Sequence, residues 1–497
     1  MRKTLPIFYS ALLLTGVNLL LRFVSTSFQV YLSAKIGPEG IGLLQLVLSV
    51  GGLCMTAGMA GIRTATMYLT AGELGKSRPE NISWVLRGCF LYSISISSAV
   101  SLLLYFSAPW IADIWIGNSR TTEAIRIFAK FIPFVCLTGC MTGYFTAANR
   151  IIILAGIEIL EQLCYMTVTM TLLLLWSGQS AERACEAIVM GSGISSCITL
   201  SLLLLLRNRH KEPKGPRLMV RKQLINTAIP LAFADNLKVG LNTAENIMVP
   251  KRLTLFPSEA APLATFGTVV GMVFPVLMFP ACILYALAEL LIPELARCSA
   301  AGNKIRIHYL VRRTLRVCAF YGFICGGALY LCSETLCNKL YNNNDAGEYL
   351  RLYSILAPML YCDAIVDAMI KGLGQQTASV RYNILTSALD VLFLFILLPK
   401  FGMTGYFISF SITHLINFIL SLRRLLRITQ VRLPFYTPAM LLSSSIFAVL
   451  SSRNIKHAGI GIIVFVTLFV CMLSLFRVVG KRDIIWLKGL IKRNCPT

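Results

Sequence analysis

The chain has 497 residues, of which 56% are hydrophobic and only 14% are charged, whereas charged residues make up about 25% of an average soluble protein. This composition excludes an ordinary soluble globular protein and indicates an integral membrane protein. Lysine and arginine outnumber the acidic residues 46 to 22, which gives a net charge of +24. Because the basic residues lie in short segments between apolar runs, the charge does not indicate a nucleic-acid partner.

The cysteines and histidines show no pattern typical of a metal site. The 16 cysteines are scattered without a C-x-x-C pair and there are only four histidines, so neither a metal ion nor a disulfide framework is expected. The sequence has no G-x-x-x-x-G-K-[ST] loop for binding nucleotide phosphates, so we expect no cofactor. Any transport would draw on an ion gradient or on the membrane potential.

Fourteen apolar runs have the length of about 20 residues that crosses a bilayer, and they predict an all-α membrane protein with about 14 transmembrane helices. The first run is too long for a signal-peptide core and lacks an evident cleavage site, so we expect it to remain as the first span. The predicted spans are 6–33, 41–69, 84–107, 127–147, 150–176, 184–206, 223–249, 263–290, 309–331, 349–371, 378–399, 402–422, 434–452 and 457–477.

The distribution of lysine and arginine predicts the orientation of these spans. If the N-terminus is cytoplasmic, 31 basic residues fall in cytoplasmic segments, 12 in outer segments and three within spans. Basic residues are enriched in cytoplasmic loops of membrane proteins. We therefore expect a multi-pass protein of the cytoplasmic membrane with both termini inside.

Weak internal repetition predicts two six-helix lobes that form a parallel pseudo-repeat, followed by two extra C-terminal helices. The expected division is an N-lobe at 1–206, a basic cytoplasmic linker at 207–222, a C-lobe at 223–422, and the last two spans with a basic tail at 423–497. Parallel repeats of this kind are typical of transporters, with the site between the lobes near the midplane. The linker's basic residues would also attract anionic membrane lipids.

The seventh span carries charges that a lipid-facing helix would not tolerate. Five polar residues, namely Asp235, Lys238, Asn242, Glu245 and Asn246, fall within an arc of about 100° on a helix. A charge near the bilayer centre costs roughly 2.5–3.5 kcal/mol even on lenient scales. The stripe indicates a polar pathway for a substrate, although Asp235 and Lys238 alone, three residues apart, would also suit a structural ion pair.

The first span repeats this theme with Asn18, Arg22, Ser25 and Gln29 on one face. Arginine stays charged and grips phosphate in a bidentate fork, so Arg22 would bind an anionic substrate or an acid on another helix. Arg63, nearer the cytoplasmic end of the second span, would by default extend its charged group to the membrane surface.

Acidic residues recur in later spans. Glu158 and Glu161 would line the bundle interior of the first lobe or form pairs. In the second lobe, Asp363, Asp367 and Asp390 would act as proton sites or balance Arg22 and Lys238.

Several motifs together resemble a known family. GPEGIGLLQ at 37–45, AGI at 60–62, GYF through EILEQL at 143–163, ENIMVPKRL at 245–253 and LAELLIPEL at 287–295 are similar to the stage V sporulation protein B group. That group belongs to the multidrug/oligosaccharidyl-lipid/polysaccharide (MOP) exporter superfamily, which includes the lipid II flippases and drug exporters.

The resemblance implies a fourteen-span exporter fold in an endospore-forming bacterium and a role in moving undecaprenyl-linked precursors for cortex peptidoglycan. Arg22 and Arg63 stand where lipid II flippases have arginines that line a cationic cavity, although this chain has Arg63 where a proline commonly follows the AGI. Many drug exporters of the superfamily have an acid in the first span for ion coupling. Here the first span has Arg22 instead, which favours an anionic lipid-linked cargo over a cationic drug.

The sequence therefore predicts a transporter rather than an enzyme. It would be a flippase for a lipid-linked glycan, with H⁺ or Na⁺ as a coupling ion and cell-wall synthesis enzymes as further partners. A multidrug cation antiporter, a membrane glycosyltransferase or polymerase, and a non-transporting scaffold for cell-wall enzymes are the alternatives. The glycosyltransferase would be expected to have a long acidic loop at the membrane surface, and no outer connection is long enough to contain one.

Overall fold

The computed structural model describes residues 7–75, 79–148, 150–176, 180–208, 221–431, 436–455 and 457–476. Within these ranges the chain is built from helices. The α-helices are α1 (Ile7–Met59), α2 (Ile62–Gly75), α3 (Ile82–Trp110), α4 (Thr122–Ala147), α5 (Ile151–Leu175), α6 (Ala181–Asn208), α7 (Arg221–Leu253), α8 (Pro262–Phe266), α9 (Phe274–Met278), α10 (Ala281–Ala300), α11 (Lys304–Tyr341), α12 (Asn344–Ser354), α13 (Ala357–Gly372), α14 (Gln376–Thr429), α15 (Tyr436–Ser452) and α16 (Ala458–Leu475). Two π-helical turns, Ile111–Ile116 and Gly267–Val273, continue α3 and join α8 to α9.

Two of these helices each contain two predicted spans. Helix α1 kinks at Gly37, which has φ 81° and ψ 172°, and α14 kinks at Gly402, which has φ 54° and ψ −139°. Only glycine adopts such conformations without strain. Each glycine therefore interrupts the helix and separates one span from the next.

Proline breaks the predicted eighth span. Pro280 caps the start of α10, where the segments Pro262–Met278 and Ala281–Ala300 meet at a bend of 62°. Proline lacks an amide hydrogen and clashes with the preceding helical turn. A second bend, of 59°, separates α12 from α13, and Pro358 lies in the first turn of α13.

The helices correspond to the predicted spans one by one once kinks and bends are counted. Seven described helical stretches are long and apolar enough to cross a membrane, or nine if each bent pair is one span. Two of the seven, Leu19–Leu74 and Gln376–Thr429, hold two spans each, and α15 and α16 are shorter apolar helices. The remaining span is α7, whose polar stripe makes it less hydrophobic than the others.

The helices form two compact units. The first unit comprises 1–272 and 380–413, and the second comprises 273–379 and 414–497. In the first unit α7 packs against α1 and α2. This grouping differs from the predicted lobes, which place α7 in the second half. The division into lobes at 1–206 and 223–422 stays a prediction, and most of the predicted linker at 207–222 and the tail after 476 lie outside the described residues.

The first unit contains a close approach between α2 and α4. A β-carbon added at Gly143 of α4 would lie 2.4 Å from the carbonyl oxygen of Arg63, so only glycine allows the two backbones to pack at this distance. This contact fixes the first turn of α2, and with it the position of Arg63.

In the second unit the last two helices pack on α11. Leu441 of α15 and Phe465, Phe469 and Leu473 of α16 form a buried cluster with Phe320 of α11. The rings of Phe320 and Phe469 lie 5.7 Å apart. The two C-terminal helices are thus attached by apolar packing, as expected for additions to a helical core.

Candidate functional site

The polar stripe of α7 divides into an exposed part and a tethered part. Asp235, Lys238 and Asn242 are exposed, whereas Glu245 and Asn246 are half-buried. The amide nitrogen of the Asn246 side chain donates to the hydroxyl oxygen of Ser49 in α1 at 2.9 Å. The Thr243 hydroxyl donates to the main-chain carbonyl oxygen of Ser49 at 3.0 Å. These two bonds fix the second half of α7 to α1.

Asp235 and Lys238 do not neutralise each other in the described part of the chain. No ion pair within 4.0 Å joins these two described side chains, although their spacing of three residues would permit one. Both side chains therefore present their charges to the space beside α7 rather than to each other.

The half-buried Glu245 forms a carboxyl pair with the buried Asp390. The Glu245 side chain lies within hydrogen-bonding reach of the Asp390 side chain on α14. Asp390 is only 3% exposed. The Ser409 hydroxyl donates to Oδ1 of Asp390 at 2.5 Å, and the Thr413 hydroxyl donates to the same oxygen at 3.2 Å. All four residues belong to the first unit.

This group of oxygens can hold one small cation. Two carboxylates placed this close repel each other, and a proton between them would relieve that repulsion. A monovalent metal ion between the carboxylates would relieve the same repulsion, because carboxylate and hydroxyl oxygens are hard ligands. The arrangement therefore suits H⁺ or Na⁺.

Sequence reasoning selected Glu245 and Asp390 but assigned them separate roles, and it missed Ser409 and Thr413. The signal was available in the sequence, because Ser409, Thr413 and Asn417 recur every four residues and so share a helix face. What the sequence does not show is that this face contacts Asp390.

The other two predicted acids of the second half lie in the second unit and have partners there. The Asn417 amide donates to both carboxylate oxygens of Asp363, at 3.3 and 3.0 Å. Lys371 Nζ lies 2.5 Å from Oδ2 of Asp367, and the Ser379 hydroxyl donates to the same carboxylate. Asp367 thus has a cationic partner, Lys371, on the next turn of its own helix.

On α1, Arg22 and Ser25 are exposed and Gln29 is half-buried. Asn18 lies in α1, but its side chain is outside the described residues. Arg22, in the stripe predicted for the first span, is therefore exposed on the surface of α1.

Arg63 is exposed in the first turn of α2. It lies close enough to Glu158 of α5 for the two charges to attract, so it has an acid nearby as well as access to the surface. Glu161, one turn further along α5, accepts a hydrogen bond of 3.3 Å from the Ser196 hydroxyl of α6. The two acids of α5 thus contribute to contacts among α2, α5 and α6.

A cavity of about 630 Å³ lies beside the last turns of α7 within the first unit. Its walls are mainly apolar and include Trp115, Ile247, Met248 and Phe395. Two cations lie at its edge. Lys251 Nζ donates to the carbonyl oxygen of Ile114 at 2.5 Å, and the Arg252 guanidinium lies 3.4 Å from the centre of the Phe395 ring. A cavity with apolar walls and a cationic rim suits an amphiphilic anion.

Comparison with known proteins gives a consistent group of relatives. The family model described as MatE matches residues 14–174. Stage V sporulation protein B of Bacillus subtilis (strain 168) is 20% identical over 413 residues, which cover 79% of this chain and 78% of that protein.

Among solved structures, the lipid II flippase MurJ in an inward closed conformation is similar with a TM-score of 0.71 and 14% identity, covering 95% of this chain and 100% of MurJ. An inward-facing multidrug resistance MATE family transporter of the MOP superfamily is similar with a TM-score of 0.65 and 12% identity, covering 84% of this chain and 100% of the other. The chain is thus similar to members of the MOP superfamily.

The likeness to these solved structures confirms the predicted all-α membrane fold with about 14 helices. At identities of 12–14%, the likeness to solved MOP structures concerns the fold alone. The cargo must therefore be argued from the residues of this chain.

Proposed function

We propose that the protein is a transporter of the MOP superfamily and that it moves a lipid-linked oligosaccharide or peptidoglycan precursor, of the undecaprenyl-pyrophosphate type, from the inner to the outer leaflet by alternating access. The relatives named as stage V sporulation protein B and lipid II flippase support this cargo class. The protein would take part in the synthesis of spore cortex or cell wall. It would lie in the cytoplasmic membrane with both termini inside.

The observation that carries the proposal is the unequal exposure of the membrane charges. Arg22 on α1 and Lys238 on α7 are exposed, as is Asp235, whereas the acids of the second half are less accessible. Asp363 and Asp367 are half-buried and Asp390 is buried. Exposed cations attract an anionic headgroup such as a pyrophosphate. A cationic drug would instead require exposed acids that outnumber these cations.

The remaining polar residues of the two stripes would bind the sugars and restrain the cations. Asn18, Gln29 and Asn242 supply donors and acceptors suited to hydroxyl groups. Asn246 already donates to Ser49, so its role would be to position α7 as well as to contact cargo. Asp235 would hold or release the nearby cations as the carrier switches between its two states.

Ion coupling would act through the pair of Glu245 and Asp390. Binding of H⁺ or Na⁺ would remove the repulsion between the two carboxylates, and loss of the ion would restore it. Glu245 lies on the half of α7 that is bonded to α1 through Ser49. A change at the pair would therefore bias the position of the helix that carries Lys238, which is the kind of differential interaction that coupling between two sites requires.

The direct test is transport by the purified protein in proteoliposomes that contain a fluorescent lipid-linked pyrophosphate glycan in the inner leaflet. Appearance of the glycan in the outer leaflet, measured with a membrane-impermeant quencher, is expected only when the protein is present. Equal appearance in protein-free vesicles and proteoliposomes, under both imposed Na⁺ and H⁺ gradients, would contradict the proposal.

A multidrug cation antiporter is the second candidate. It is favoured by the MatE family model over residues 14–174 and by the likeness to multidrug resistance MATE transporters. A labelled cationic dye moved against its gradient by the same proteoliposomes, without movement of the lipid-linked glycan, would favour this candidate. A scaffold for cell-wall synthesis enzymes would move neither compound and would tolerate neutralisation of Arg22.

A further inference from the structure

A second cavity, of about 710 Å³, lies in the second unit and is strongly basic. It is lined by residues of the first half of α11 and by the two residues that follow α14, namely His308, Tyr309, Arg312, Arg313, Arg316 and Gln430 with Val431. Its volume falls within the range of roughly 300–1,000 Å³ that is typical of small-molecule sites. None of the residues of the α1 and α7 stripes lines it.

The basic residues share one face of α11. His308, Arg312 and Arg316 follow each other at intervals of four residues, and Arg313 lies beside them, so they stand one above another along the helix. No acidic residue is present among the described residues that line the cavity. Three arginines line one concave surface, and an arginine fork offers paired hydrogen bonds that phosphate oxygens accept.

The end of α14 closes the cavity and fixes its shape. Gln430 adopts φ 55° and ends α14 in a left-handed conformation, which turns the chain towards α11. His308 Nε2 donates to the carbonyl oxygen of Thr429 at 2.5 Å. The cavity is therefore formed by α11 and the end of α14, which this hydrogen bond joins, and not by α11 alone.

The position along α11 identifies the source of the phosphate. From Val317 to Ser333 the helix has no charged residue, so the arginines stand at the boundary between its apolar part and its polar end. Apolar side chains are exposed around the cavity, with Tyr309 at 47% and Val317 at 38%. Basic pockets between membrane helices at this depth bind the headgroups of anionic lipids. We propose that this cavity binds the phosphate-bearing headgroup of an anionic membrane lipid.

The test compares the full-length protein in nanodiscs of phosphatidylcholine with nanodiscs that also contain phosphatidylglycerol. We expect phosphatidylglycerol to raise the midpoint of thermal unfolding of the unsubstituted protein. The double substitution Arg312→Gln, Arg316→Gln should remove at least half of that increase. The matched control is the double substitution Arg423→Gln, Arg427→Gln. It removes two exposed arginines from α14 that have the same spacing and lie outside the cavity. This control should keep the full rise in the unfolding midpoint that phosphatidylglycerol produces.

Several results would overturn the proposal. These are no increase in the unsubstituted protein, an undiminished increase after substitution of Arg312 and Arg316, or an equal loss in the control, which would indicate diffuse surface charge. Inorganic phosphate added to phosphatidylcholine nanodiscs distinguishes the source, because a full increase with phosphate alone would indicate a soluble anion instead of a lipid. If the double variant does not fold, Arg312→Gln alone is compared with Arg423→Gln, since both change exposed side chains.

Discussion

Glu245 on α7 and Asp390 on α14 lie within hydrogen-bonding reach of each other, and the Ser409 and Thr413 hydroxyls both donate to Asp390. When a single cation binds between two carboxyl groups so placed, it attracts both groups and relieves the repulsion between them. Because Glu245 stands on the helix that carries the exposed Lys238, the pair links cation occupancy to the element that we propose contacts the cargo.

The first prediction is that Glu245→Gln abolishes the response of transport to an imposed Na⁺ or H⁺ gradient. Glutamine keeps the size of the side chain and can still hydrogen-bond Asp390, but it removes the charge that the cation compensates. The initial rate driven by the gradient should fall by about tenfold or more, since coupling between sites is commonly worth about 1–3 kcal/mol. Fluorescence of the labelled glycan in proteoliposomes measures this rate.

Asp390→Asn should have the same effect, because the cation requires both carboxylates. Glu348→Gln is the control, since Glu348 is exposed on α12 and lies outside the pair. Gradient-driven transport that is unchanged in Glu245→Gln and Asp390→Asn would show that the coupling ion binds elsewhere.

The fold was largely predictable because membrane helices are encoded locally. The apolar runs gave the spans, and the polar stripe on α7 was visible from helical period alone. Contacts between distant segments were not encoded in this way. The bond from Thr413 to Asp390 and that from Asn246 to Ser49 join residues 23 and 197 positions apart, and helix pairing decides both.

One local contact was within reach of sequence reasoning and was missed. Lys371 follows Asp367 by four residues on one helix, which is the spacing of an intrahelical ion pair. The sequence interpretation instead considered Arg22 and Lys238 as partners for the acids. The spacing along α13 alone is therefore enough to predict this pair.

The second prediction concerns the packing of α2 against α4. Gly143→Ala should lower the stability, because its β-carbon would lie 2.4 Å from the Arg63 carbonyl oxygen, and overpacking costs typically about 1–3 kcal/mol. The midpoint of thermal unfolding of the purified protein measures the change, and transport should decline as Arg63 shifts.

Gly156→Ala on α5 is the matched control for this substitution. A β-carbon at Gly156 meets no atom within 4 Å, so alanine should stabilise the helix by up to about 1 kcal/mol through its higher helix propensity. Equal midpoints for the two variants would show that α2 and α4 pack less closely than described.

The third prediction is the orientation of the chain. A cysteine at Asn344, which is exposed at the start of α12, should react with a membrane-impermeant maleimide in intact cells. A cysteine at Arg427, which is exposed near the end of α14, should react only after permeabilisation. Labelling of the unsubstituted protein gives the background signal from native cysteines. Reaction of the Arg427→Cys variant in intact cells would show that the orientation is opposite to the predicted one.

The final prediction is that Arg22 and Lys238 act through their positive charge on an anionic headgroup. Both are exposed on helices of the first unit that pack against each other. Arg22→Ala should lose most of the transport of the lipid-linked glycan. Arg22→Lys should retain part of it if charge alone matters, and little if the arginine fork grips the pyrophosphate through two hydrogen bonds.

Folding must be separated from function in these variants, because removing a charged side chain can change the stability of the protein as well as its transport. The thermal midpoint of each purified variant supplies that control, and Arg351→Ala, which removes an exposed arginine paired with Glu334 at 3.2 Å, supplies a charge-matched comparison. Since surface ion pairs contribute roughly 0–1 kcal/mol, Arg351→Ala should leave both stability and transport nearly unchanged. A stable double variant Arg22→Ala, Lys238→Ala that still moves the glycan at the unsubstituted rate would show that the two cations serve the structure and that the cargo is held by other residues.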